Sequence, residues 1–75
     1  MEREYGVQPL DALMQEANLT NHDLVAASTE QLTHKVVAKA RRGRWITMNA
    51  RHKVTNAYNQ ATSSNLQIRD LFNYY

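Results

Sequence analysis

Residues 20–47 have the sequence TNHDLVAASTEQLTHKVVAKARRGRWIT, and this stretch decides the fold. Three threonines, at positions 20, 33 and 47, each stand directly before a run of helix-forming residues. A threonine hydroxyl in that position accepts a hydrogen bond from an unpaired N–H group of the first helical turn. Gly43 follows two arginines, which is typical of a helix that ends in a left-handed residue. The stretch therefore predicts two helices and the start of a third.

The same reasoning extends to both sides of this stretch. Pro9 suits the first position of a helix, and Leu10, Leu13 and Met14 follow at helical spacing. Asp23 lies three residues after Thr20, as in a capping box. With Gly and Pro rare and no strand pattern, the expected fold class is all-α, a compact bundle of four to five short helices. The predicted helices are 9–18, 21–28, 34–42 and 48–61, and the spacing of Ile68, Leu71 and Phe72 favours a short fifth helix over a strand.

Composition limits the size and the chemistry of the protein. A chain of 75 residues suffices for one domain, which we expect to span residues 1–75 with its core at about 9–61. Leu, Ile, Val and Phe number only 15, so the core is thin. Cysteine is absent, which excludes disulfides and thiolate chemistry. No apolar run is long enough for a membrane span, and the acidic start lacks the apolar stretch of a secretory signal, so we expect a cytoplasmic protein.

The charges are distributed unevenly along the chain. Residues 1–30 carry a net charge of −5, whereas residues 31–69 contain no acidic residue and carry +8. A cationic segment of this kind is typical of a surface that meets polyanions such as nucleic acids. The alternative interpretation is a solvated basic face without a partner.

The middle of the chain resembles the lambda-repressor-like, or XRE-type, helix-turn-helix family. The resemblance rests on the capping threonines, on apolar positions inside the helices and on the Gly-Arg pair that closes the second helix of the motif. The matching residues are Leu19-Thr20, Leu24, Leu32-Thr33, Val37, Ala40, Gly43-Arg44, Ile46-Thr47, Val54 and Ala57. The sequence departs from the family between Leu24 and Leu32, where it is longer by about two residues than the usual tight turn and lacks the turn glycine.

The resemblance implies a sequence-specific binder of double-stranded DNA, a transcriptional regulator of bacterial or phage type. Helix 34–42 would be the recognition helix in the major groove. The implied base-contacting residues are His34, Lys35, Val36 and Lys39, which lie away from the Val37 and Ala40 side of that helix. The expected phosphate-contacting residues are Thr33, Arg41, Arg42, Arg44, Thr47, Asn49 and Arg51.

No residue pattern points to catalysis, a metal or a cofactor. The three histidines, His22, His34 and His52, are not spaced three or four residues apart, and no phosphate-binding glycine motif is present. We therefore expect a protein that is not an enzyme and that uses no metal and no cofactor.

Two alternatives remain open from the sequence. The apolar and aromatic segment 66–75 either packs on the core, with Tyr5 and Val7 nearby, or forms the face of a homodimer. The rival function is a small helical interaction module, antitoxin-like or an adaptor, whose basic face binds an acidic protein. An RNA-binding function is less favoured, because loops rich in aromatic residues are missing.

Overall fold

The computed structural model describes residues 4–74, and in this part of the chain it contains five helices. Their bounds are α1 (Pro9–Glu16), α2 (Asn21–Ala27), α3 (His34–Arg42), α4 (Met48–Thr62) and α5 (Ile68–Leu71). The predicted all-α bundle of short helices is therefore confirmed. Among these helices, none has the length and apolar character that a membrane crossing requires.

The three threonines cap their helices as predicted. The Asp23 N–H donates to the Thr20 hydroxyl over 3.1 Å, and the Thr20 N–H donates back to the Asp23 carboxylate over 2.8 Å, which completes the capping box. These hydrogen bonds lower the pKa of Asp23. Thr33 accepts from the Val36 N–H over 3.2 Å, and Thr47 accepts from the Ala50 N–H over 3.1 Å.

The predicted helix ends agree with the structure in α3 and differ slightly elsewhere. The first helix ends at Glu16 rather than at residue 18, because Asn18 adopts a left-handed backbone with φ 57°. Asparagine tolerates this conformation better than most residues. The second helix ends at Ala27, one residue early, since Ser28 is extended. The fourth helix includes Thr62, whose hydroxyl donates to the Tyr58 carbonyl over 2.8 Å.

The core lies where α1, α2, α4 and α5 meet around the inner side of α3. The second helix packs on α3 and α4, while α1 packs on α3 and α5. The buried apolar residues are Leu10, Met14, Leu24, Leu32, Val37, Ala40, Ile46, Val54, Ala57, Tyr58, Ile68, Leu71 and Phe72. Most of the residues that helical spacing assigned to the core are among them. Leu13, which the spacing placed beside Leu10 and Met14, is an exception because it is only partly buried.

The C-terminal segment folds back on the core, as one of the two interpretations required. Ile68, Leu71 and Phe72 are buried within the chain, and Tyr74 stacks on Tyr5 with ring centroids 4.4 Å apart. Val7, which was expected to join this contact, is instead exposed. The apolar side chains of α5 are thus used inside the bundle, and a homodimer through segment 66–75 stays a prediction.

The N-terminal arm, residues 4–8, lies along the end of α3. The Tyr5 N–H donates to the Gly43 carbonyl over 2.8 Å, and Glu4 and Arg44 form an isolated antiparallel bridge. Gly43 has φ 87°, the left-handed conformation that favours glycine. A Cβ atom at this position would overlap the Gly6 carbonyl group. Gly43 therefore ends α3 and also leaves the space in which the N-terminal arm packs.

Gln8 joins the arm to two other parts of the chain. Its side chain is buried, its backbone N–H donates to the Arg41 carbonyl over 3.1 Å, and its Nε2 donates to the Gly6 carbonyl over 2.9 Å. Its Oε1 accepts from the Asn73 N–H over 2.7 Å. A buried amide is stable only when its polar atoms are paired, and here both are.

The two left-handed glycines allow a matched test of this arm. Gly43→Ala should lower the free energy of unfolding by at least about 2 kcal/mol more than Gly6→Ala, because both changes strain the backbone but only the first creates an overlap. Gly6 also has a positive φ, of 79°, yet a Cβ there would meet open space. Urea denaturation of both variants measures the difference, and equal losses would contradict the close approach.

Candidate functional site

The outer side of α3 presents a row of polar and cationic side chains. We call this surface the α3 face and define it by His34, Lys35, Ala38, Lys39 and Arg42. His34, Lys35 and Arg42 are exposed, whereas Ala38 and Lys39 are partly buried. Val37 and Ala40 point into the core from the other side of the helix. The expectation that His34 and Lys35 are accessible is therefore confirmed.

Val36 differs from the expectation that it is exposed. Its side chain is partly buried and packs against the core. The reason is visible in the spacing of Val36 and Ala40, which are four residues apart and therefore lie on the same side of α3. The apolar side of a packed helix covers more positions than Val37 and Ala40, the two that the prediction used. Val36 borders the α3 face rather than forming its centre.

Arg41 is partly buried and its guanidinium is engaged inside the chain. Its Nε donates to the Asp11 carboxylate over 2.6 Å, and its Nη1 donates to the Asn21 side-chain oxygen over 2.8 Å. The ion pair is mostly buried, with 21% of the Arg41 and 23% of the Asp11 side chain exposed. Arg41 thus connects α3 to α1 and to the start of α2. Because Nε and one Nη1 donor are engaged inside the chain, we assign Arg41 to the packing of α3 rather than to a phosphate contact.

Arg51 is likewise corrected as a phosphate contact, since only 6% of the residue is exposed. Its guanidinium lies over the Tyr74 ring, with the Cζ atom 4.9 Å from the ring centroid, and its Nε has no hydrogen-bond partner. Burial also raises the pKa of Tyr74 above its usual value of 10.0, so this phenol is neutral at physiological pH. Arg51 serves the packing of the C-terminal segment on α4.

The remaining predicted phosphate contacts lie at the surface. Arg42 and Asn49 are exposed, and Arg44 is partly exposed with its Nε 3.5 Å from the Glu4 carboxylate. The capping residues Thr33 and Thr47 are exposed as well. Their hydroxyls accept the N–H bonds described above, so capping is the role that the structure assigns to them.

The acidic groups near the α3 face are occupied by partners within the chain. Asp11 is paired with Arg41, and Asp23 accepts the capping hydrogen bond. Glu30, in the connection before α3, accepts from the Asn56 side chain over 3.3 Å. Asp11 also lines the same surface depression as Ala38 and Arg42, with its charge paired by Arg41.

The connection between α2 and α3 has six residues, 28–33, which confirms the departure from the usual tight turn. The Ser28 hydroxyl organises its first half, accepting from the Glu30 N–H over 3.1 Å and donating to the Glu30 carbonyl over 2.9 Å. Despite this longer connection, the first turns of α2 and α3 lie side by side. The His22 and His34 ring centroids are 5.5 Å apart.

One member of the α3 face and one neighbour of it were missed from the sequence. Ala38 lies on the same side of α3 as Lys35 and Arg42, and a complete helical projection of residues 34–42 would have found it. His22 comes from another helix, and no spacing along the chain could have indicated that it meets His34.

Comparison of the chain with protein-family models, with curated proteins and with solved structures finds no match. The helix-turn-helix resemblance therefore stays a prediction that rests on the residues themselves.

The different environments of Arg41 and Arg42 predict different effects of the same substitution. Arg41→Met should lower the free energy of unfolding by about 1–2 kcal/mol, because Asp11 loses a charged partner in a mostly buried position. Arg42→Met should change it by less than about 0.5 kcal/mol, since Arg42 is exposed. Thermal melts followed by circular dichroism compare the two variants. Equal destabilisation would mean that the contact of Arg41 with Asp11 and Asn21 does not support the fold.

Proposed function

We propose that this chain binds double-stranded DNA as a transcriptional regulator, with α3 lying in the major groove. The observation that carries the proposal is the division of α3 into two sides. Val37 and Ala40 anchor one side in the core, and the other side is the cationic α3 face. An α-helix fits the width of the major groove, and lysine and arginine donors suit the acceptors that guanine presents there.

The shape of the α3 face supports a close approach to the bases. Ala38 has only a methyl group at the middle of this surface. The longer side chains of Lys35 and Arg42 therefore flank a shallow depression. In the proposed docking Lys35, His34 and Lys39 reach base edges. Val36, at the border of the surface, is at most a peripheral contact.

The phosphate contacts in the proposal are those predicted residues that the fold leaves at the surface. They are Thr33, Arg42, Arg44, Thr47 and Asn49. Cations near phosphates supply affinity and orientation without reading the sequence. Arg41 and Arg51 instead act indirectly, since they hold α3 and α4 against their neighbours.

The alternative function is a helical interaction module, antitoxin-like or an adaptor, whose basic surface binds an acidic protein. The exposed cations Lys35 and Arg42 on one side of a helix favour DNA, because an α-helix fits the major groove and lysine and arginine donors suit the acceptors of guanine there. The alternative is supported instead if polyglutamate binds as tightly as duplex DNA of equal charge.

Duplex binding should weaken steeply with salt. Each phosphate that the protein neutralises contributes about −0.9 to the slope of log K against log salt concentration. Arg42→Ala should reduce the magnitude of this slope by about one such contribution. Fluorescence anisotropy with a random duplex of about 20 base pairs measures the slope, since one turn of B-DNA takes roughly 10 base pairs.

Arg69→Ala is the matched control for this measurement. It removes the same charge from an exposed position on α5 that is not among the proposed contacts, and it should change the slope less than Arg42→Ala does. A slope near zero for the unmodified chain, or the same change in both variants, would contradict docking through the α3 face.

The start of α3 offers a second test, in which substitutions of Thr33 should affect stability and DNA binding differently. Thr33→Ala should cost about 1 kcal/mol of stability, because the Val36 N–H loses its acceptor. Thr33→Ser and Thr33→Asp should both restore the cap. Thr33→Asp should nevertheless abolish duplex binding, since it places a carboxylate beside the phosphates, while Thr33→Ser should bind normally. Melting curves and gel shifts of the three variants check this, and a Thr33→Asp protein that binds duplex normally would favour the interaction module.

A further inference from the structure

Two histidines that are distant in sequence meet between α2 and α3. His22 is the second residue of α2 and His34 is the first residue of α3. Their rings stack with centroids 5.5 Å apart and planes inclined by 27°. Both side chains are exposed, so their rings are accessible to a dissolved ion.

We propose that His22 and His34 together bind one divalent transition-metal ion, with Zn²⁺ as its representative. Neutral imidazole nitrogens are common ligands of Zn²⁺, Cu²⁺ and Ni²⁺. With Zn–N distances of about 2.0–2.1 Å and tetrahedral angles, two imidazoles on one ion have ring centroids roughly 5 Å apart. The separation of His22 and His34 is close to this value, so the helices already stand at the distance that chelation needs.

Chelation requires only a change in the orientation of the rings. In the stacked arrangement the two rings lie face to face. To bind one ion, each ring must instead turn its edge so that one ring nitrogen points at the ion. The terminal torsion of histidine is broad, and exposed side chains change rotamer within nanoseconds. The backbone of α2 and α3 can therefore remain where it is.

The surroundings define an open site with two protein ligands. Asp23 is next to His22 in sequence, but its carboxylate accepts the capping hydrogen bond from Thr20. Within residues 4–74 no group of three His, Cys, Asp or Glu side chains is placed to hold a metal ion. The other coordination positions then belong to water, and the ion exchanges readily instead of forming part of the folded core.

A bound ion would add a link between the first turns of two helices that already pack against each other and are connected in sequence by residues 28–33. Because the ion binds the folded chain better than the unfolded one, it raises the melting temperature. At a free ion concentration about five times Kd, binding to the folded chain raises the melting temperature of a chain of this size by roughly 4–8 °C.

The test uses the 75-residue chain with Zn²⁺ alone and without DNA, so its result is independent of the proposed function. Thermal melts should show the expected rise with Zn²⁺ and none with Mg²⁺, which prefers oxygen ligands. His22→Ala and His34→Ala should each abolish the rise. His52→Ala should keep it, because this third exposed histidine lies on α4. Isothermal titration should give one ion per chain.

Nuclear magnetic resonance provides a second measurement that does not depend on the stability of the variants. Paramagnetic Ni²⁺ added to the unmodified chain should broaden the signals of residues around His22 and His34 before those around His52. No melting shift up to about 1 mM Zn²⁺, a concentration that detects even a weak site, would overturn the proposal. It would also be overturned by a shift that survives in His22→Ala and His34→Ala, or by first broadening at His52.

Discussion

The paired, buried amide of Gln8 is the contact on which the ends of this small bundle depend. Its backbone and side chain bond to the end of α3, to the N-terminal arm and to the segment after α5, through Arg41, Gly6 and Asn73. A buried amide that loses one of these partners is costly, so the three segments are held as one unit. Gly43 makes this possible, because its lack of a side chain lets the arm approach the end of α3. A chain with a thin apolar core gains from such a polar connection, which also holds the N-terminal arm and the segment after α5 in place.

The orientation of α3 follows from contacts on two of its sides. Val37 and Ala40 are fully buried, and Arg41 connects the last turn to Asp11 on α1 and Asn21 on α2. These contacts leave one side of the helix in solvent and determine which cations it displays. The proposed DNA binding depends on that division more than on the net charge of the protein, since a cation engaged inside the fold contributes little to a surface potential.

The C-terminal segment closes the bundle with aromatic rings as well as with aliphatic side chains. Phe72 is buried, Tyr74 packs edge-on against it, and Tyr5 of the N-terminal arm stacks on the outer side of Tyr74. Arg51 lies over the Tyr74 ring, and a cation over an aromatic face is stabilised by the ring quadrupole. This contact explains why a basic residue can be buried in a part of the chain where it was expected to be exposed.

The sequence alone determined the local structure, because helix caps join groups only a few residues apart. The bounds of α3 could therefore be predicted correctly. Thr33 caps the start of this helix, and Gly43 follows its last residue. The candidate site was predictable only in part: Lys35 was correctly expected at the surface, whereas the engagement of Arg41 and the meeting of His22 with His34 were not. Arg41 is paired with Asp11, 30 positions away, and the two histidines come from different helices. The tertiary structure alone decided these features, because each depends on how α1 and α2 cross α3, and that geometry is set by the packing of the whole core.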